Sequence, residues 1–194
     1  MLQKLLILLL TLFPKEESTF TKEYIIPTEQ IPLNIYWISE DNILLSYLNK
    51  GEIFNLENRK RNILEECKNC IYGYGRELLK CEYEHRDIQS MDEFSTTISL
   101  YDSTNTLIFK KDIFPTVIPT VCKKEYIVLK NAYSFLEKKT YYLDIKKDNL
   151  EEVNNLKREI SIPNLPKYKN IAIGEERVIL LTEENFLAVY KRGR

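Results

Sequence analysis

Glycine and alanine are scarce in this chain. Five glycines among 194 residues form neither a Gly-x-Gly-x-x-Gly fingerprint nor a Lys-containing phosphate loop, so the backbone cradles that hold nucleotide phosphates are missing. Alanine, the strongest helix former, occurs only at Ala132, Ala172 and Ala188, which argues against a helical fold. A single histidine, His85, excludes metal sites built on two imidazoles and leaves one candidate for a His-dependent triad. No Gly-x-Ser-x-Gly turn stands ready to present a nucleophile to it. A formal net charge of -1 supplies no field for duplex DNA or an anionic membrane, so no nucleic-acid partner is expected. The short basic groups Arg59-Lys60-Arg61, Lys138-Lys139, Lys146-Lys147 and Lys191-Arg192 fall where turns are expected and read as solvated loops. No apolar run approaches the roughly 20 residues that cross a bilayer, so no stable membrane span is expected.

What the chain does contain favours strands. It has 13 Tyr and 8 Phe beside abundant Ile, residues that suit a pleated, half-buried surface. Its length is enough for one well-buried core and too short for two ordinary domains. At the start, Lys4 is followed by the apolar run Leu5 to Leu12, broken only by Thr11, and then by Phe13-Pro14-Lys15-Glu16-Glu17. That charged, apolar, polar order is the pattern of a secretory signal peptide. The reading is a signal-like segment over residues 1–19 and a single β-rich domain over 20–194. The alternative for the same run is a buried N-terminal strand in a cytoplasmic protein.

Beyond Pro27 and Pro32 the pattern alternates. Ile35-Tyr36-Trp37-Ile38, Ile43 to Leu48 and Glu52 to Leu56 read as three strands, with turns at Ser39-Glu40-Asp41-Asn42 and at Asn49-Lys50-Gly51, where Gly51 is expected to supply a positive φ. Residues 77–83, 97–101 and 106–109 continue the pattern, the last two joined by Asp102-Ser103-Thr104-Asn105. Residues 126–129 are expected to pair with 133–136, and 140–145 alternate again. Three more strands, 171–173, 177–181 and 185–190, close the chain. The layout returns about every 40 residues. Helical signals are confined to 149–158, where Asp148 to Glu151 matches a capping box, and to 57–67.

The stretch Trp37-Ile38-Ser39-Glu40-Asp41-Asn42-Ile43-Leu44-Leu45 with the strand 52–56, and the stretch Ile173-Gly174-Glu175-Glu176 running into 178–181 and 186–190, resemble blades of WD40-like and PQQ-like β-propellers. The resemblance spans residues 35–190. It implies four-stranded meanders of about 40 residues arranged as propeller-type blades, with room for roughly four. The alternative is a β-sandwich of eight or more strands.

Candidate chemistry is sparse. Cys67, Cys70, Cys81 and Cys122 form an even set that allows two disulfides in three pairings. Cys67-Lys68-Asn69-Cys70 has the spacing of a redox pair but lacks the helical setting that activates one, and all four thiols are a formal zinc set with an unusually long gap. Tyr72 and Tyr74, in the segment Ile71-Tyr72-Gly73-Tyr74-Gly75, read as a flexible aromatic turn able to touch a partner. The acidic doublets Glu65-Glu66, Glu151-Glu152, Glu175-Glu176 and Glu183-Glu184 read as solvated turns. These features point to a non-enzymatic, secreted or secretory-pathway, β-propeller-like binding or scaffold domain with a protein partner and no cofactor. Two alternatives stand beside it: an enzyme whose site gathers dispersed acidic residues and His85, and a cytosolic scaffold of the same fold.

Overall fold

The computed structural model describes residues 20–64, 67–88, 93–132, 139–153 and 165–193. Among these the regular structure is all strand, sixteen in number, grouped in four antiparallel sheets of four. Each sheet is a blade-type unit, so the fold class is that of β-propeller blades and not of a two-sheet sandwich. The chain divides into two compact units, one over the described residues of 29–159 and the other over those of 1–28 and 160–194.

The larger unit carries three consecutive meanders. The first runs β2 (Asn34–Ser39), β3 (Asn42–Tyr47), β4 (Lys50–Asn55) and β5 (Arg61–Ile63). The second runs β6 (Cys70–Tyr74), β7 (Leu78–Ile88), β8 (Glu93–Tyr101) and β9 (Leu107–Ile113). The third runs β10 (Val117–Cys122), β11 (Tyr126–Asn131), β12 (Thr140–Asp144) and β13 (Asn149–Glu152). Period-two alternation assigns the faces: on β12 Tyr141 and Leu143 are buried while Thr140, Tyr142 and Asp144 are less so, as a strand with one packed side requires.

Two apolar layers hold these sheets together. Tyr36 and Leu44 of the first pack on Cys70 and Tyr72 of the second. Ile71, Leu79, Cys81, Ile98 and Leu100 of the second pack on Val117, Cys122, Ile127, Leu129 and Leu143 of the third. Side chains of this kind contribute about 1.5–3 kcal/mol each when fully buried. The ion pair from Lys111 of β9 to Asp148, 2.7 Å, joins the second sheet to the β12–β13 turn from the solvent side.

The smaller unit is one sheet of order β1-β16-β15-β14, with β1 (Phe20–Ile26), β14 (Tyr168–Ile173), β15 (Arg177–Thr182) and β16 (Leu187–Arg192). Its fourth strand comes from the opposite end of the sequence. Lys22 lies over the Phe186 ring at 5.1 Å, and Glu23 accepts from Arg177 at 3.0 Å, so side chains as well as the ladder fasten β1. Val178, Leu180, Ala188 and Tyr190 form its core.

Several expectations change on inspection. Gly51 does not turn the β3–β4 hairpin: the loop is Leu48 and Asn49, Asn49 has φ 68°, and no described glycine has positive φ. Asn and Asp tolerate that region because their short polar side chains bond locally, which lets a glycine-poor chain turn often. Gly51 sits instead within β4, where an added Cβ would meet Leu64 and Tyr72 at 2.9 Å. Residues 149–152 are strand β13, paired to β12, because ladder hydrogen bonds outweigh a local capping pattern; residues 154–158 lie outside the described residues. The second helical candidate is a turn at 56–58 followed by β5. Residues 70–74 are strand β6 and not a turn. β11 pairs with β10 and β12; the expected strand 133–136 lies outside the described residues, as does the signal-like segment 1–19.

Candidate functional site

The first strands of the three meanders in the larger unit converge at their ends. β2, β6 and β10 finish at Ser39, Tyr74 and Cys122. Pro119 is tolerated in β10 because that strand has a ladder neighbour on one side only and carries a register shift beside it. Tyr36 on β2 is buried, and its Oη accepts the Cys122 backbone N–H at 3.4 Å. The next residue, Lys123, extends Nζ over the Tyr36 ring, 4.5 Å from its centroid, and donates to the Tyr74 carbonyl oxygen at 2.6 Å. Tyr74 in turn donates its hydroxyl to the Ile38 carbonyl oxygen at 3.4 Å. Three strand ends are thereby tied around one ammonium group.

The electrostatics of this group are distinctive. Burial lowers the Lys123 pKa, offset in part by Glu125 and Cys122. Burial, then Cys122, holds the Tyr36 phenol far above its ordinary value, and burial, then Cys81, does the same to the Cys122 thiol. Among the described residues no carboxylate forms an ion pair with Lys123. The neighbouring Lys124 differs, since it pairs with Glu77 at 3.0 Å, and Glu77 also accepts from Ser103 at 3.4 Å. A cation–π contact is worth about 0.5–2 kcal/mol, enough to hold an ammonium in place without a direct ion pair. With the phenol and the thiol both held protonated, the arrangement is suited to receiving a negative group and not to moving a proton.

The residues singled out from sequence are dispersed. Tyr72 is buried between the first and second sheets and Tyr74 is half-buried beside it, so the Tyr72 ring packs in the core. Cys67 and Cys70 sit at disulfide distance with Cα atoms 5.9 Å apart, at the end of β6 opposite Tyr74. There Cys67 and Asn69 donate backbone N–H groups to Asn49, at 3.1 and 3.0 Å. Cys81 and Cys122 are free and buried. Among the described residues no group of three or more His, Cys, Asp or Glu side chains could hold a metal ion.

His85 lies on β7, tilted against the Tyr83 ring at 5.3 Å. Its Nδ1 is 3.1 Å from the Thr96 hydroxyl, which also accepts the Val117 N–H at 2.9 Å. Burial lowers its pKa. Val117 begins β10 and Cys122 ends it, about 16 Å apart at roughly 3.3 Å per residue, so His85 and Lys123 occupy different ends of the unit. Lys123 escaped sequence reasoning because its importance comes from Tyr36 and Tyr74, which are 87 and 49 positions away.

No family model, curated protein or solved structure matches the chain.

Proposed function

We propose that this chain is a non-enzymatic binding domain of propeller-type blades, working in the secretory pathway or outside the cell. It engages a protein partner at the loops where β2, β6 and β10 end, and the partner presents a carboxylate to Lys123. The observation that carries the reading is the half-buried Lys123 ammonium, held by an aromatic face and a carbonyl oxygen with no carboxylate paired to it among the described residues. Such a cation has already lost part of its hydration, so a charge-assisted hydrogen bond to it is stronger than one to a solvated lysine. The signal-like pattern of residues 4–17 and the Cys67–Cys70 pair support the compartment.

The test is site-specific photo-crosslinking in native cells from Arg76 and, as a control, from Asn49 at the opposite end. It is followed by calorimetry with the purified partner. Crosslinks from Arg76 alone and at least a tenfold weaker affinity for Lys123→Met are expected. Equal affinity for Lys123→Met, or crosslinks confined to Asn49, would overturn the site. Intact mass decides the compartment: loss of about the first 13–19 residues supports export, whereas a full-length mass with four free thiols favours a cytosolic scaffold.

A further inference from the structure

Cys122 borders the site above through its backbone N–H, and its side chain runs into the interior that also holds Cys81. Cys81 lies on β7 opposite Ile71 and Leu100, and Cys122 ends β10 opposite Ile127. Both are fully buried in the apolar layer between the second and third sheets, and after burial itself the Cys81 thiol is the largest influence holding the Cys122 thiol up. The Cys122 side chain is also confined from the other direction: its Cβ stands 2.7 Å from where a Cβ on Gly73 would be. Ile71 and Gly73 are two apart on β6 and so share a face, and Ile71 is the ladder partner of Cys81, which puts Cys81 and Cys122 over the same face of that strand.

We propose that Cys81 and Cys122 are a disulfide-forming pair, a covalent modification site that staples the second and third blade-type sheets. Of the three pairings open to the four cysteines, the structure then selects Cys67–Cys70 with Cys81–Cys122. Closing the bond brings the sulfurs to the S–S length of about 2.05 Å, a movement that two side chains over one face of the same packed layer share. The reaction is exchange with a low-molecular-weight disulfide such as oxidised glutathione. The Cys81 thiolate attacks one sulfur of that disulfide and expels a glutathione thiolate. The Cys122 thiolate then attacks the mixed disulfide and expels the second, so two protons leave the protein and two reduced glutathiones form. Because both thiols are buried in the folded state, exchange takes place while the two sheets are still separating or joining. The bond closes a loop between positions 41 apart (122 − 81), long enough for a cross-link to raise Tm by roughly 5–15 °C. Although Cys122 adjoins Lys123, the inference does not rest on the binding reading: it is read from the linked peptide and not from partner affinity.

The experiment uses the full chain refolded in glutathione buffers from fully reduced to fully oxidised, alkylated after acid quench and mapped without reduction. Cys67→Ser/Cys70→Ser isolates the buried pair, and Cys81→Ala/Cys122→Ala removes it. Expected are a linked Cys81–Cys122 peptide under oxidising conditions in both the wild-type chain and Cys67→Ser/Cys70→Ser. A higher Tm for oxidised than for reduced Cys67→Ser/Cys70→Ser is also expected, with a smaller gap in Cys81→Ala/Cys122→Ala, where only the short Cys67–Cys70 loop is left to close. Two alkylated thiols at every redox ratio in folded Cys67→Ser/Cys70→Ser would overturn the proposal, as would Cys122 linked to Cys67 or Cys70 in the wild-type chain. If that variant does not fold, the wild-type peptide map decides alone.

Discussion

The backbone of Gly73 passes Cys122 so closely that a Cβ at position 73 would stand 2.1 Å from the Cys122 carbonyl oxygen. The obstacle is main chain, which cannot rotate aside as a side chain can, so β6 and β10 would have to separate. Gly73→Ala is therefore expected to cost about 3 kcal/mol, the upper range for overpacking a well-filled interior. Gly75→Ala is the internal control, because nothing lies within 4 Å of its added Cβ, and it should change stability by less than about 0.5 kcal/mol. Urea unfolding of the two variants checks both, and equal midpoints would show that the close approach is not maintained in solution.

Gly51 illustrates how far the strand pattern could be read from residues alone. Its neighbours Asn49 and Lys50 marked a hairpin correctly, because polar residues between two alternating runs have few other uses. Assigning the turn to Gly51 failed, since the need for a missing Cβ there arises from Leu64 and Tyr72, and Tyr72 reaches it from the next sheet. The same limit explains β6. Tyr72-Gly73-Tyr74-Gly75 carries the composition of a turn, and the ladder with β7 together with packing against Tyr36 and Cys122 makes residues 70–74 a strand. The meander repeat was legible because period-two alternation is local. The Lys123 site and the Cys81–Cys122 contact were not, because each joins strands from different sheets.

His85 gives a pH test. Burial lowers its pKa, so the fold favours the neutral ring and the unfolded chain binds the proton more readily. Stability is then fully present above the unfolded value of about 6.5 and declines as pH falls below it towards the folded value. His85→Gln should remove that slope while keeping a polar group near the Thr96 hydroxyl. Urea midpoints for both proteins between about pH 7.5 and 5 should diverge on the acid side, the wild-type chain falling faster. Parallel curves would mean that the imidazole titrates alike in the folded and unfolded states.

Tyr47 makes the opposite prediction at alkaline pH. It is buried, its hydroxyl donates to Glu52 at 3.5 Å, and burial followed by the Glu52 charge holds the phenol well above its ordinary value. Glu52 is buried too and is paired with Lys50 at 3.2 Å and Arg61 at 3.3 Å. A raised folded pKa means stability that is complete below about pH 10 and lost as pH rises above it. Tyr47→Phe keeps the ring, gives up one long hydrogen bond and should cost no more than about 1 kcal/mol near neutrality. Between about pH 9.5 and 11 its melting temperature should fall less steeply than that of the wild-type chain, and an identical decline would place the alkaline sensitivity elsewhere.

Strand β1 separates the signal-like segment from the folded sheet, and truncation tests where that boundary lies. Residues 20–26 pair with β16 on both sides of a register shift at Glu23, bury Ile26 and place Lys22 and Glu23 against Phe186 and Arg177. A chain starting at residue 20 retains all of these contacts and should melt within about 2 °C of the full chain, a shift that corresponds to under 1 kcal/mol. A chain starting at residue 27 exposes the β16 edge through Leu187, Ala188 and Val189, which invites pairing with other molecules. It should be markedly less stable or aggregate, as light scattering during a thermal scan would register. If removing residues 1–19 proves as damaging as removing 1–26, the apolar run belongs to the folded core and the export reading fails with it. If only the longer truncation is damaging, cleavage near residue 19 is compatible with an intact domain, and β1 is the mature protein's first structural element.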